Sequence, residues 1–126
     1  RKLDLRPRSR VVLITRIRDI ENQPVVVETV LVSATTFPGL GNQSLNEIPN
    51  ALYEYYEEHY GVTIYQANEH LRSIAAEEEE AHLLGVETGS PLLEIDRLAL
   101  TLDHQAVEWR ISHCNTRDWE YISILA

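Results

Sequence analysis

Two runs of β-branched residues joined by a short turn constrain this chain more than any other feature. Val11 to Ile17 is almost continuously apolar, and after Glu21-Asn22-Gln23-Pro24 the run Val25 to Val32 repeats that character. Valine and isoleucine are stiff at χ1 and pack well on a pleated surface, so the pair predicts a β-hairpin. The arrangement returns later in the chain. Leu92 to Leu102 and Val107 to Cys114 flank Asp103-His104-Gln105-Ala106, and a last short strand fits Tyr121 to Leu125. Hairpin partners run antiparallel, so the sheet is expected to be largely antiparallel.

Between the hairpins the period changes. Leu52, Tyr55, Tyr56, His59 and Tyr60 recur at helical spacing behind Pro49, which suits a first turn, and before Gly61, which suits a left-handed stop. This predicts a helix over about 49–60. A second helix is expected from Ala76 to Leu84, ended by Gly85. Its Glu77 to Glu80 favour the positive end of the helix dipole and read as a solvated first turn. Ile64, Leu71 and Ile74 fit either period, and 62–75 is read as a long strand. The fold class that follows is α+β, a mostly antiparallel sheet flanked by helices. At 126 residues and 44% hydrophobic content, one compact domain is expected over 11–126, with 1–10 a linker or the start of the first strand.

Charge narrows the partners. Twenty acidic against eleven basic residues give a net charge of −9, which repels phosphate backbones. Direct nucleic-acid binding by this piece is therefore not expected. The one basic cluster, Arg1, Lys2, Arg6, Arg8 and Arg10, reads as a solvated linker. The lone Cys114 excludes an internal disulfide, and no apolar run approaches the roughly 20 residues of a bilayer span, so a cytoplasmic protein is expected. The chain opens without methionine on a charged stretch and reads as a fragment of something longer.

Register arithmetic yields candidate ion pairs. Folding the first hairpin about Asn22 places Arg16 opposite Glu28 and Arg18 opposite Val26; folding the second about Leu102 and Asp103 places Arg97 opposite Glu108. Arg16 and Arg18 stand two apart on a strand and share a face, offering two cationic forks to a carboxylate or phosphate. Arg16 is divided between Glu28 and a ligand. Arg18 lacks an obvious partner and is the leading anion-binding candidate. Ser112 and Cys114 share the face of Glu108 by alternation and are candidates to line the same cavity. His59, His70, His82, His104 and His113 include no pair at metal-ligand spacing, and neither a nucleophile elbow nor a glycine-rich phosphate loop is present, so no metal, cofactor or catalysis is expected.

The order of several short motifs resembles the UTRA effector domains of the GntR superfamily, HutC-like branch. They are Arg16-Ile17-Arg18, Asn22-Gln23-Pro24, Glu28, Phe37-Pro38-Gly39-Leu40, Leu52-Tyr53, Tyr60-Gly61, Gly89-Ser90-Pro91-Leu92-Leu93 with Arg97, and Val107-Glu108-Trp109. The resemblance covers roughly 11–121 and implies a chorismate-lyase-like fold. It also implies that the chain binds a small effector and governs a winged helix-turn-helix domain preceding Arg1. Glu28 and Glu108 match family glutamates that contact effector hydroxyl or amine groups, and Tyr53, on the first turn of the central helix, is a candidate donor into the pocket. Ala51 replaces a serine associated with phosphate binding, Ala106 replaces a proline, and Asn115 to Tyr121 departs from the family's ending, all of which weigh against a sugar-phosphate effector. A chorismate-lyase-type enzyme sharing the fold is the alternative function. A homodimer is expected because regulators of this class read two half-sites, with the strands Val25–Val32 and Leu92–Leu102 as candidate surfaces.

Overall fold

The computed structural model describes residues 2–3, 5, 9–43, 47–49 and 51–124. Its core is one five-stranded antiparallel sheet built from β1 (Val11–Ile20), β2 (Gln23–Ser33), β3 (Gln66–Ala75), β4 (Pro91–Leu100) and β5 (Ala106–Cys114). The spatial order is β1-β2-β5-β4-β3. Helix α1 (Leu52–Tyr60) follows the first hairpin and α2 (Glu78–Leu84) joins β3 to β4. The α+β architecture expected from the sequence is the one observed.

The first hairpin has the expected register, with Arg16 facing Glu28 and Arg18 facing Val26. Its strands run further than their apolar runs suggest, because the turn is only Glu21-Asn22, both at positive φ (52° and 66°). Two such residues make the mirror-image turn whose twist matches the strands. Pro24 therefore lies within β2, beside an irregularity at Arg18/Asp19. The second hairpin departs from expectation. Arg97 faces Arg110, and Glu108 faces Ala99, because the turn is centred one residue later and the register shifts again between Ala99 and Leu100. His104 takes φ 63° in that loop, whose ends are tied by a hydrogen bond from the Thr101 amide to the Gln105 carbonyl. A two-residue change of partner keeps every side chain on its face. The expected Arg97–Glu108 pair is thus not formed, although both residues still belong to one side of the sheet.

Helix α1 begins at Leu52, not Pro49, with Ala51 at its cap and Gly61 (φ 65°) at its end. Helix α2 begins two residues later than expected, where Glu77 and Glu80 form a reciprocal capping box. No strand forms over 121–124, which corrects the expectation of a last short strand there; Leu125 lies outside the described residues. Arg1, Arg6 and Arg8 of the basic cluster also lie outside them.

Each face of the sheet carries one helix. Leu52, Tyr55 and Tyr56 of α1 pack with Ile14, Val30, Val32, Phe37 and Leu40 in the larger core cluster. Ala81 and Leu84 of α2 pack with Ala76 and Leu92 on the other side. Beside α2, His113 is held between Glu80 (2.6 Å) and Glu94 (3.0 Å). Burial would lower its pKa, but the hydrogen bonds to Glu80 and Glu94 outweigh that and raise it. The strands proposed as dimer surfaces, β2 and β4, are interior to the sheet. Exposed apolar side chains sit instead on edge strand β1, with Leu13 at 63% and Ile17 at 43% exposure, and on the C-terminal segment at Ile122 and Ile124.

Candidate effector site

Alternation along β1, β2, β4 and β5 brings Arg16, Arg18, Glu28, Arg97, Glu108, Arg110, Ser112 and Cys114 to the α1 face of the sheet. Seven of these eight residues are polar or charged, on a face that α1 partly covers. Burying them demands local pairing.

Glu28 is 2% exposed and draws three guanidiniums. Arg16 Nε donates to its Oε2 at 2.7 Å, while Arg18 and Arg110 lie at 3.8 Å and 4.0 Å from its Oε1. Arg16 also donates to the Pro49 carbonyl at 3.2 Å and is 10% exposed, so its fork serves the structure. Glu108 is fully buried and holds Arg110 through two hydrogen bonds of 3.0 Å and 2.9 Å. The Tyr56 hydroxyl donates to the same carboxylate. Burial, then the Glu108 charge, push the Tyr56 phenol far up. Burial pulls Arg110 down, but Glu108 and then Glu28 more than reverse it, and Arg110 stays charged. Glu108 is thus satisfied by protein.

Arg18 differs from its neighbours. Its side chain is 40% exposed, and among the described residues its ion pair is the 3.8 Å approach to Glu28. It lines a cavity of about 230 Å³ together with Tyr53, Glu54, Arg97 and Arg110. The Tyr53 ring lies over the Arg110 guanidinium at 5.2 Å, and its hydroxyl is shielded from solvent without a hydrogen bond of normal geometry. Burial pushes the Tyr53 phenol up, Glu108 adds to the rise, and Arg97 and Arg110 oppose it, so it remains a proton donor. Arg97 donates to Glu69 at 2.7 Å. Ser112 is buried opposite Glu28, and Cys114 sits at the end of the same face, its thiol pushed up by burial and by Glu28. An inert thiol is the consequence.

Sequence reasoning named Arg18, Tyr53, Glu28 and Glu108; Arg18 and Tyr53 line the cavity, whereas Glu28 and Glu108 are buried and do not line it, pairing instead with Arg16 and Arg110. It had not placed Arg97 and Arg110 there as site residues. Arg110 was legible, since it alternates with Glu108 and Ser112; Glu69 and Tyr56 were not, because their partners lie far off in sequence. A larger cleft of about 680 Å³ opens at the other end of β4, lined by Ser73, Glu87, Ser90, Asn115 and Arg117. Its one guanidinium, Arg117, is exposed, whereas the smaller cavity gathers three guanidiniums and a shielded hydroxyl, the combination that fixes an anion. Among the described residues no three His, Cys, Asp or Glu side chains group as a metal site.

The UTRA domain model matches residues 1–118 of this sequence. The chain belongs to the UTRA domain family. The ligand-binding domain of a GntR-family regulator from Bordetella bronchiseptica superposes with a TM-score of 0.92 at 35% identity, covering 99% of this chain and 80% of that one. The C-terminal domain of Yurk from Bacillus subtilis gives 0.85 at 25% identity over 96% and 82%. In sequence, the B. subtilis HTH-type transcriptional repressor NagR is 30% identical over 75% of this chain and 38% of its own length. This UTRA chain therefore spans about two-fifths of that relative. UTRA domains of GntR-family regulators are effector-binding regulatory domains, and this chain has their fold over nearly its whole length.

Proposed function

We propose that this UTRA chain senses a small anionic metabolite, a carboxylate or phosphate, in the Arg18 cavity and passes its occupancy to a DNA-binding half that precedes Arg1. The observation that carries the reading is Arg18, a half-exposed guanidinium without a close partner, beside the shielded Tyr53 hydroxyl and two further arginines. Glu28 and Glu108 hold these cations in place, and Ser112 and Cys114 floor the same face. The whole protein is a HutC-type, cytoplasmic, non-catalytic regulator in this reading. Its support is the likeness to GntR-family regulators, one of them a repressor. No helix among the described residues is long and apolar enough to cross a membrane.

Homodimerisation belongs to the same reading, with the surface moved from the interior strands to β1, whose Leu13, Ile17 and Ile20 face solvent at a sheet edge. Light scattering on the purified chain then gives twice 14.5 kDa. The effector reading is tested by thermal-shift screening of small carboxylates and phosphates followed by Arg18→Ala. The substitution weakens the best hit more than tenfold, as a charge-assisted contact of about 1.5–3 kcal/mol requires. An unchanged affinity removes Arg18 from the site.

A further inference from the structure

We infer that the ligand is a compact monoanion, a small carboxylate carrying a hydroxyl or keto oxygen, and that Glu54 turns away dianions such as phosphate monoesters. The inference rests on the effector-site reading and names its ligand class. The Arg16 fork is engaged by Glu28 and the Pro49 carbonyl, and the Nε–Nη2 edge of Arg110 is engaged by Glu108 while its Nη1 lies 4.0 Å from Glu28. Arg97 has given its Nε to Glu69 and also interacts with the Tyr53 oxygen, which leaves the phenol's own proton to donate. That leaves the Arg18 fork as the exposed charged anchor and the Tyr53 hydroxyl as a neutral donor shielded within the same cavity.

Charge balance points the same way. Arg16, Arg18, Arg97 and Arg110 against Glu28, Glu69 and Glu108 leave one positive charge on this face of the sheet. The exposed Glu54 carboxylate, which lines the cavity from the first turn of α1, brings the local balance to zero, so Arg18 answers one ligand charge and nothing answers a second. Like charges side by side at a solvent-exposed cavity edge repel, though screened, and this favours the ligand with one charge over the ligand with two. Size agrees, because about 230 Å³ lies below the roughly 300–1,000 Å³ of sites that take drug-sized ligands. A carboxylate matches the planar Arg18 fork, and a hydroxyl or keto oxygen next to it accepts from Tyr53.

Calorimetric titration with acetate, glycolate and glycerol 3-phosphate tests this at about pH 5.5 and about pH 8, on either side of the phosphate's second ionisation near 6. Both carboxylates keep one charge throughout, so glycolate reports any pH effect of the protein itself. Glycolate is expected to bind equally at both pH values and about threefold more tightly than acetate, a gain that Tyr53→Phe erases. Glycerol 3-phosphate is expected to weaken about tenfold towards pH 8, and Glu54→Gln to restore most of that loss. Glycerol 3-phosphate binding more tightly at pH 8, or outbinding glycolate there tenfold, overturns the monoanion class. So does the absence of glycolate binding at concentrations up to about 10 mM, whether or not the phosphate binds. Arg18→Ala separates the two levels: weakened binding of whichever anion does bind leaves the site reading intact, and unchanged binding overturns that reading too.

Discussion

The two hairpins carry the same local pattern, an arginine on the first strand and a glutamate on the second, and use it differently. In the first, Arg16 meets Glu28 directly across the strands at 2.7 Å. In the second, Arg97 turns outward to Glu69 on β3, and Glu108 turns inward to Arg110 and Tyr56. The difference is one of turn chemistry. Two left-handed residues fix the first register, whereas a looser turn with a single left-handed histidine lets the second slip. The slip leaves Glu108 buried within its own network, and it leaves Arg97 next to the cavity between Glu69 and the Tyr53 hydroxyl.

The largest effect that tests this contrast is expected at Glu108. Glu108→Ala strands the Arg110 charge where only 9% of the side chain is exposed, and should cost about 3–5 kcal/mol, read as the midpoint of denaturant unfolding. A loss under about 1 kcal/mol would mean that Arg110 is not buried against Glu108. Arg16→Ala should cost less, about 1–3 kcal/mol, because Glu28 retains Arg18 and Arg110 within 4.0 Å. Glu69→Ala, at the partly buried Arg97 pair of the second hairpin, should cost about 1 kcal/mol. If Glu69→Ala proves as damaging as Glu108→Ala, the rerouting of the second hairpin's pair is wrong.

A smaller, pH-dependent effect distinguishes the opposite face of the sheet. The folded pKa of His113 is raised, so its contribution is complete below the unfolded value of about 6.5 and is lost as pH climbs through the folded value. Once neutral, the ring has one N–H for two carboxylates, and either Glu80 or Glu94 faces a lone pair. Thermal midpoints should therefore fall from pH 6 to pH 9 in the parent chain, with a flatter profile in His113→Leu. Parallel profiles would show that the His113 bridge contributes nothing.

Most of the architecture was legible because it rests on local rules. Apolar runs, strongly β-branched in β1 and β2, marked β1, β2, β4 and β5, and Gly61 and Gly85, both at positive φ, marked both helix ends. Arg18 stood out by simple alternation. What stayed hidden depends on the exact geometry of a turn and on partners distant in the chain. The second register required knowing that the Thr101–Gln105 loop would close with His104 left-handed, and the Tyr56–Glu108 and Arg97–Glu69 contacts join residues more than a helix or hairpin apart. The segment over 121–124 carries strand-forming residues and its Tyr121 hydroxyl donates to Glu69 on edge strand β3, yet it forms no ladder among the described residues, so propensity alone did not make it a strand.

The central claim is that the anion sits at Arg18, and a crystal structure of the chain with glycolate tests it most directly. The carboxylate should lie within about 2.7–3.2 Å of the Arg18 guanidinium, with the glycolate hydroxyl accepting from Tyr53. Glycolate found instead in the larger cleft beside Ser90 and Arg117, with no contact to Arg18, would contradict the account.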